Sequence, residues 1–307
     1  MSRFGKHPGI VVGVDGSPGS KIAIRWAARD AELRNVALTL AHVLPTTAGT
    51  RLSSSLAPQH TGKLRERGRQ LLDEALQIAN ESCQRGPNRI NLEMPSGTAV
   101  SALVEMSKNA DLLVVGYLGT GTLRGRHLGS VSAGLIYHSH CPVVVIHDDV
   151  DLNPDSERST VLVGIDGSPT SELAIALAFD EASRRKVDLT VVHTWQPPNV
   201  FDPIVGFPGP GWRTLRSRED QIVAERLAGW TERYPDVAVH RIIARNNAAP
   251  SLVDSSTQAQ LVVIGSHGSG GFAAMLFGSV SAAVVLLTHV PVMIARRSPP
   301  TPGYLCP

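Results

Sequence analysis

Gly116, Gly119 and Gly129 stand in the spacing G-x2-G-x9-G with Ser130 next in line, and Gly265, Gly268 and Gly278, followed by Ser279, repeat that spacing. Each set opens directly behind an apolar run, and its third glycine leads into a segment that reads as an apolar helix. A glycine-rich turn between a strand and a helix leaves backbone N–H groups unpaired and lets main chain approach a ligand closely. Anions, phosphates above all, fill such places. The first helical turns read Ser130-Val131-Ser132 and Ser279-Val280-Ser281, so their hydroxyls can add donors to phosphate oxygens. Asp15 and Asp166 end two further apolar runs, in "GVDGS" and "GIDGS". A carboxylate at a strand end can accept from a sugar hydroxyl or a base amino group, or it can simply cap an Asx-turn. Two competing phosphate signatures are missing: there is no G-x4-G-K-[ST], and after Gly119 and Gly121 the third glycine of G-x-G-x-x-G is replaced by Arg124.

The elements that must position these residues come twice. "GIVVGVDGSPGSKIAIRWAA" around Asp15 returns as "TVLVGIDGSPTSELAIALAF" around Asp166, 151 residues later, and "LTLAHVLP" returns as "LTVVHTWQP" at the same offset. The chain is a tandem duplication. The first domain is expected over residues 1–148, a polar linker over 149–159, the second domain over 160–297 and an irregular Pro-rich tail over 298–307. In each copy short apolar runs alternate with helical patterns. The β-branched runs Ile10 to Val14 and Val161 to Ile165 read as strands buried on both faces. Ser17-Pro18 and Ser168-Pro169 supply an N-cap followed by proline at the first helical position. Second strands are expected at Ala37 to Val43 and Asp188 to Thr194, and helices from Leu64 to Cys83 and Gln221 to Arg233. Third strands fit Ile90 to Met94 and Val237 to Ile243, and fourth strands Leu112 to Val115 and Leu261 to Ile264. Pro142 to Ile146 and Pro291 to Ala295 close the copies. Alternation of this kind predicts a parallel α/β sheet with right-handed crossovers.

With the glycines after the fourth strand rather than the first, the chain resembles the universal stress protein family in its tandem, two-domain form. The resemblance rests on the two G-x2-G-x9-G-S motifs and the two Asp-Gly-Ser strand ends, and covers about residues 8–147 and 159–296. It implies two Rossmann-like domains of the adenine nucleotide alpha hydrolase-like kind, each a five-stranded parallel sheet ordered 3-2-1-4-5. It also implies an ATP site in each, usually with a divalent metal such as Mg2+. Carried over by position, Asp15 and Asp166 lie by the adenosine, and Val43 and Thr194 wall the adenine pocket. Gly116, Gly119, Gly129, Ser130, Val131 and Ser132 then take ribose and phosphates, as do Gly265, Gly268, Gly278, Ser279, Val280 and Ser281. The family further implies a homodimer. Departures are visible: basic residues Arg124, Arg126 and His127 fall inside the first loop, whereas no Lys or Arg falls between Gly268 and Gly278. Phosphate affinity is therefore expected to differ between copies.

Other features have plainer readings. His42 and His193 recur at the ends of the second strands and read as packed or hydrogen-bonded rather than catalytic. Tyr117 and His267 stay open between ligand contact and exposed loop. Cys141, before Pro142 on an apolar strand, reads as buried and inert. The Pro/Gly-rich stretch over 196–212, with Phe201, Phe207 and Trp212, is a cover for the second site, a partner contact or a flap. Three cysteines without C-x-x-C spacing suit a reducing cytosol. A formal charge of +2 without a basic tract predicts no nucleic-acid partner. Arg65 to Arg69 reads as a solvated helix face. No apolar run reaches the roughly 18 residues of a membrane span, and the N-terminus enters its first strand without a signal-peptide core, so a cytoplasmic protein is expected. No G-x-S-x-G elbow and no His/carboxylate pair poised over water is apparent. A nucleotide-dependent regulator with little or no turnover is the leading expectation. A dimerising scaffold with vestigial sites and a slow Mg-dependent ATPase are the alternatives.

Overall fold

The computed structural model describes residues 7–46, 57–84, 89–120, 128–152, 160–195, 210–245, 247–268 and 277–296. The chain divides into two compact units, residues 1–152 together with Arg296, and residues 153–295. The first carries β1 (Ile10–Gly13), α1 (Pro18–Arg34), β2 (Leu38–Ala41), α2 (Ala57–Ser82) and β3 (Ile90–Glu93). It continues with α3 (Ala99–Ser107), β4 (Leu112–Gly116), α4 (Ser130–His138) and β5 (Val143–Ile146). The second carries β6 (Thr160–Ile165), α5 (Pro169–Arg185), β7 (Asp188–Trp195), α6 (Pro210–Arg233) and β8 (Val239–Arg245). It ends with α7 (Ala248–Ser256), β9 (Ala259–Gly265), α8 (Ser279–Leu287) and β10 (Val292–Ala295).

In the first unit β1 pairs with β2 and β4, β2 with β3, and β4 with β5, all parallel, so the order is β3-β2-β1-β4-β5. The second unit repeats it as β8-β7-β6-β9-β10. Ile10 to Val12, Leu112 to Val114 and Val143 to Ile146 are all within 1% of full burial, as a strand covered by helices on both faces must be. Right-handed crossovers put α1 and α2 on one face and α3 and α4 on the other, and α1 packs on α2 and α3 on α4 accordingly. Because the chain turns left of β1 first and right of it later, the loops leaving β1 and β4 part toward opposite faces. The resulting crevice is where open sheets hold ligands.

Local chemistry sets the helix ends. Ser17 Oγ accepts the Ser20 N–H at 3.2 Å and Ser168 Oγ the Ser171 N–H at 3.2 Å, with Pro18 and Pro169 at the first turn. Asn35 and Lys186 close α1 and α5 in the left-handed region, at φ 55 and 56. Two helices differ from the sequence expectation. α2 starts at Ala57 rather than Leu64, and α6 at Pro210 rather than Gln221. α2 opens on Ala-Pro-Gln-His with no apolar period to announce it, and α6 opens on Pro210-Gly211, which continue a Pro/Gly-rich stretch. Pro210, Gly211 and Trp212 therefore belong to a helix, and the rest of the 196–212 stretch, Phe201 and Phe207 included, lies outside the described residues, as do 153–159 of the linker and the tail from 297.

The helix pairs use the same positions with different volumes. Ala28 and Ala79 are buried in the first unit, where Cys83 Sγ contacts the Ala28 carbonyl at 3.6 Å. At the offset of 151 the second unit has Phe179, Trp230 and Tyr234, with Phe179 stacked 6.1 Å from Trp230 and 5.7 Å from Tyr234. What both units keep is a buried acid on the first helix: Asp30 and Glu181 are each 1% exposed. Arg34 Nε bonds Asp30 at 2.7 Å and Arg185 Nε bonds Glu181 at 2.8 Å. Removing one partner of such a pair strands the other charge in the interior. Asp30→Ala is therefore expected to cost the first unit about 3 kcal/mol. Urea unfolding read by tryptophan fluorescence checks this; a cost below about 1 kcal/mol would be that of an exposed pair.

Candidate functional site

Two turns face each other across the crevice of the first unit. At the end of β1 the Asp15 carboxylate closes its own turn, Oδ1 accepting the Ser17 N–H at 2.9 Å, while Gly16 turns at φ +82. Its other oxygen, Oδ2, accepts the Thr120 N–H at 3.1 Å from the loop behind β4. Ser17 Oγ donates to the Leu118 carbonyl at 3.3 Å, a second tie between the same two turns. Ser20 Oγ braces the turn from below, accepting the Asp15 N–H at 3.3 Å and donating to the Gly13 carbonyl at 3.2 Å. Asp15 thus holds the loop in place, and each of its oxygens is already engaged by backbone. The expectation that it meets a sugar or base directly has to share the carboxylate with that task.

The three glycines do three different jobs. A Cβ on Gly116 would lie 2.8 Å from the Gly19 carbonyl carbon and 2.9 Å from the Ser20 nitrogen, so this glycine lets α1 press on the end of β4. A Cβ on Gly119 would meet Asp15 Oδ2 at 2.9 Å, so that glycine admits the carboxylate. Gly129 is the N-cap of α4, has no side chain to cap with, and donates its N–H to the Tyr117 carbonyl at 2.9 Å. The first helical bond there is Ala133 N–H to the Gly129 carbonyl, leaving the N–H groups of Ser130, Val131 and Ser132 with no intrahelical partner. The Ser132 hydroxyl departs from expectation. It is buried and donates to the Gly116 carbonyl at 2.7 Å, so it braces the loop, whereas Ser130 is exposed.

Between the turns lies a cleft of about 370 Å³. Its apolar lining includes Ala41, Val43, Ala99, Leu103 and Val115, and the loop contributes Gly119, Gly129 and Ser130. Sequence reasoning missed Ser17, Ser20, Leu118, Thr120, Ala99 and Leu103. Ser17 was legible as a cap, whereas Ala99 and Leu103 arrive from α3 on the far face and carry no motif. Tyr117 is neither exposed nor in the cleft: it is 5% exposed and stacked on His147 at 4.0 Å. Burial pushes its phenol above the ordinary range, and its hydroxyl has no hydrogen-bond partner among the described residues. Arg124, Arg126 and His127 lie outside the described residues.

The second unit reproduces the frame. Asp166 Oδ1 accepts the Ser168 N–H at 3.0 Å, and a Cβ on Gly268 would meet Asp166 Oδ2 at 2.7 Å. Gly278 caps α8, with Ala282 N–H reaching its carbonyl at 2.9 Å, and Ser281 Oγ donates to the Gly265 carbonyl at 2.8 Å. Ser279 and Val280 are exposed, and Thr194 is the last but one residue of β7. A difference appears beside the loop, where Thr170 replaces Gly19 and its hydroxyl donates to the His267 carbonyl at 2.6 Å, joining Ser168 Oγ at 3.3 Å. His267 is half-buried, its Nδ1 3.0 Å from Ser266 Oγ. His42 and His193 are hydrogen-bonded: Nδ1 lies 2.8 Å from the Val14 carbonyl in one and 3.0 Å from the Ile165 carbonyl in the other. Cys141 is buried, and its thiol is pushed up to about 12 by burial first and by Asp111 second, which leaves it protonated. Among the described residues no three His, Cys, Asp or Glu side chains gather as a metal site, and no helix is long and apolar enough to cross a membrane.

The model of the universal stress protein family matches residues 9–147 and again 157–296. The chain belongs to the universal stress protein family. Universal stress protein Rv2623 of Mycobacterium tuberculosis strain H37Rv is 48% identical over 299 residues, covering 97% of this chain and 99% of its own. Universal stress protein Rv2005c of the same strain is 45% identical over 302 residues, 97% and 100% of the two chains. Among solved structures a universal stress protein from Archaeoglobus fulgidus superposes with a TM-score of 0.66 at 23% identity, covering 95% of this chain and 99% of that one, which shows the shared fold.

The glycine roles predict different outcomes for one added methyl. Gly116→Ala should destabilise by about 1–3 kcal/mol, because backbone has to move. Gly278→Ala, whose Cβ would find only ordinary contacts at 3.6 Å and a φ of −72, should stay within about 1 kcal/mol of the parent. Urea midpoints of the two variants rank them; equal losses would show that the close approach at Gly116 is not what its glycine provides.

Proposed function

We propose that this universal stress protein binds ATP, one molecule in each unit, and acts as a nucleotide-dependent regulator of the stress response with little or no turnover. The observation that carries the reading is the cleft of the first unit, lined both by apolar side chains and by a helix N-terminus without a side-chain cap. Its volume falls in the range of small-ligand sites. A purine suits the end walled by Val43, Ala99 and Leu103, and phosphates suit the N–H groups of Ser130 to Ser132, which the macrodipole of α4 makes electropositive. Gly119 provides the close approach of loop to Asp15 that shapes the phosphate end. A divalent cation such as Mg2+ would come with the phosphates, since no protein cage for one is present among the described residues.

Binding without efficient turnover is supported by how the histidines are spent. His42 lines the cleft, but its Nδ1 is tied to the Val14 carbonyl, an arrangement that fixes a ring more than it frees a base. The proposal takes the working form to be a cytoplasmic homodimer, as the family resemblance implies.

Heat denaturation of the purified protein followed by chromatography of the released small molecules, scaled to chain, is the direct test. Near two adenine nucleotides per chain supports both sites, and near one supports unequal sites. No nucleotide, together with no binding of added Mg-ATP, would sink the reading in favour of a dimerising scaffold. Asp15→Ala should weaken the first site about tenfold, the worth of one charge-assisted hydrogen bond to the loop. Release of phosphate from Mg-ATP at enzyme-like rates would overturn the non-catalytic part and favour the ATPase.

A further inference from the structure

β3 is the edge strand of the first unit, paired with β2 on one side. The Leu38 N–H bonds the Arg89 carbonyl at 2.9 Å and the His42 N–H bonds the Glu93 carbonyl at 3.0 Å, so Arg89 and Glu93 turn their backbone toward β2. Alternation along a strand then turns the N–H and C=O groups of Ile90 and Leu92 the other way, to the open side. An open row of this kind is a template for another strand. β5 and β10 leave nothing open, being fully buried along their whole lengths. β8, the edge of the second unit, is guarded by charge. It carries His240 and Arg241 and no acid, and Asp188 and Asp220 engage those two side chains within the unit.

The β3 edge is of another kind. Arg89-Ile90-Asn91-Leu92-Glu93 is its own complement when reversed, with opposite charges at the ends, apolar residues next and an amide at the centre. Leu92 is 42% exposed and Arg89 is exposed beside it. Arg89 Nε donates to Asn91 Oδ1 at 3.1 Å, and among the described residues neither Arg89 nor Glu93 forms an ion pair.

We propose that the homodimer forms by antiparallel pairing of β3 with β3 of a second copy, in the register that sets Asn91 opposite Asn91. The inference rests on the homodimer of the reading above and gives it a surface. In this register Arg89 of each copy falls opposite Glu93 of the other, and Ile90 opposite Leu92. Backbone and side chains ask for the same alignment. Ile90 and Leu92, whose N–H and C=O face outward, become the hydrogen-bonded pairs, whereas Arg89, Asn91 and Glu93 fall at the non-bonded positions, where side chains come closest. A slip of one residue sets outward groups against inward ones, and a slip of two parts Arg89 from Glu93. The contact is isologous, so one patch serves both copies. Two copies of β8 have no such opposite charges to offer each other.

Opposite charges directly across a strand pair attract, like charges repel by a similar amount, and the two-fold symmetry counts each change twice. Arg89→Glu alone, or Glu93→Arg alone, should therefore weaken dimerisation about tenfold or more, and the double exchange, which restores the pairing with its ends reversed, should return it to within about threefold of the parent. Leu92→Pro removes an N–H that β2 does not use, so it should abolish the dimer and leave the unit folded.

The test is sedimentation velocity of the full chain over a dilution series, for the parent, both single reversals, the double exchange and Leu92→Pro, with circular dichroism to show that each is folded. Hydrogen exchange provides a second readout. The amides of Ile90 and Leu92 should exchange more slowly as protein concentration rises, and that of Arg241, which turns outward on β8 by the same alternation, should not. Should Leu92→Pro fail to fold, the charge exchange and the parent's own hydrogen exchange decide. A dimer untouched by the single reversals, a double exchange no stronger than the singles, or slowing at β8 in place of β3 would overturn the inference. A parent chain that stays monomeric at every concentration would instead overturn the homodimer reading, and the inference with it.

Discussion

One carboxylate joins two loops that lie 105 residues apart in the chain, and the cleft depends on it. With the central strands ordered β2-β1-β4-β5, the connections leaving β1 and β4 diverge to opposite faces, and nothing in the sheet itself keeps their turns together. Asp15 does so with two charge-assisted bonds to N–H groups, each worth more than a neutral bond, helped by the Ser17 hydroxyl on the Leu118 carbonyl. A gap that the topology opens is thereby held at a fixed width, which is what a binding site requires of its scaffold.

Seen from that bridge, the glycine spacing is a compound of unlike needs. The first glycine answers to helix-on-strand packing, the second to the approach of a carboxylate, and the third to a helix start that must keep its N–H groups available. The serine two residues beyond the third glycine belongs to the loop as well, since its hydroxyl returns to the carbonyl of the first glycine in both units, at 2.7 and 2.8 Å. In the proposed nucleotide site, phosphate contacts are left to backbone N–H groups and to the exposed Ser130 and Ser279.

Repetition made the fold legible. Two copies of "VDGS/IDGS" and of the glycine spacing located the first and fourth strands of each unit, and buried β-branched runs located the others. The start of α2 was hidden because its first turn has no apolar period to read, and that of α6 because Pro210 and Gly211 continue a Pro/Gly-rich stretch. At the site, Asp15 and the glycines were legible from type and spacing, but Ala99 and Leu103 were not, since the β3-to-α3 crossover delivers them from another face. The direction of a hydroxyl is likewise invisible in sequence. Ser132 could have faced a phosphate as easily as a carbonyl, and only its burial beside Gly116 decides it.

The two units agree where backbone is bonded and differ in the side chains carried around that frame. The Asp-to-Ser N–H bond, the His-to-carbonyl contact and the Ser-to-Gly carbonyl bond occur in both. Thr170 stands for Gly19, Thr194 for Val43, Glu219 for Gly68 and Ser266 for Tyr117. A change that broke the frame would cost the bridge and with it the cleft. A change in the lining costs only a contact, and it can alter polarity or titration without moving a strand. Duplication of such a fold therefore leaves the backbone frame tightly constrained and the side chains around it comparatively free.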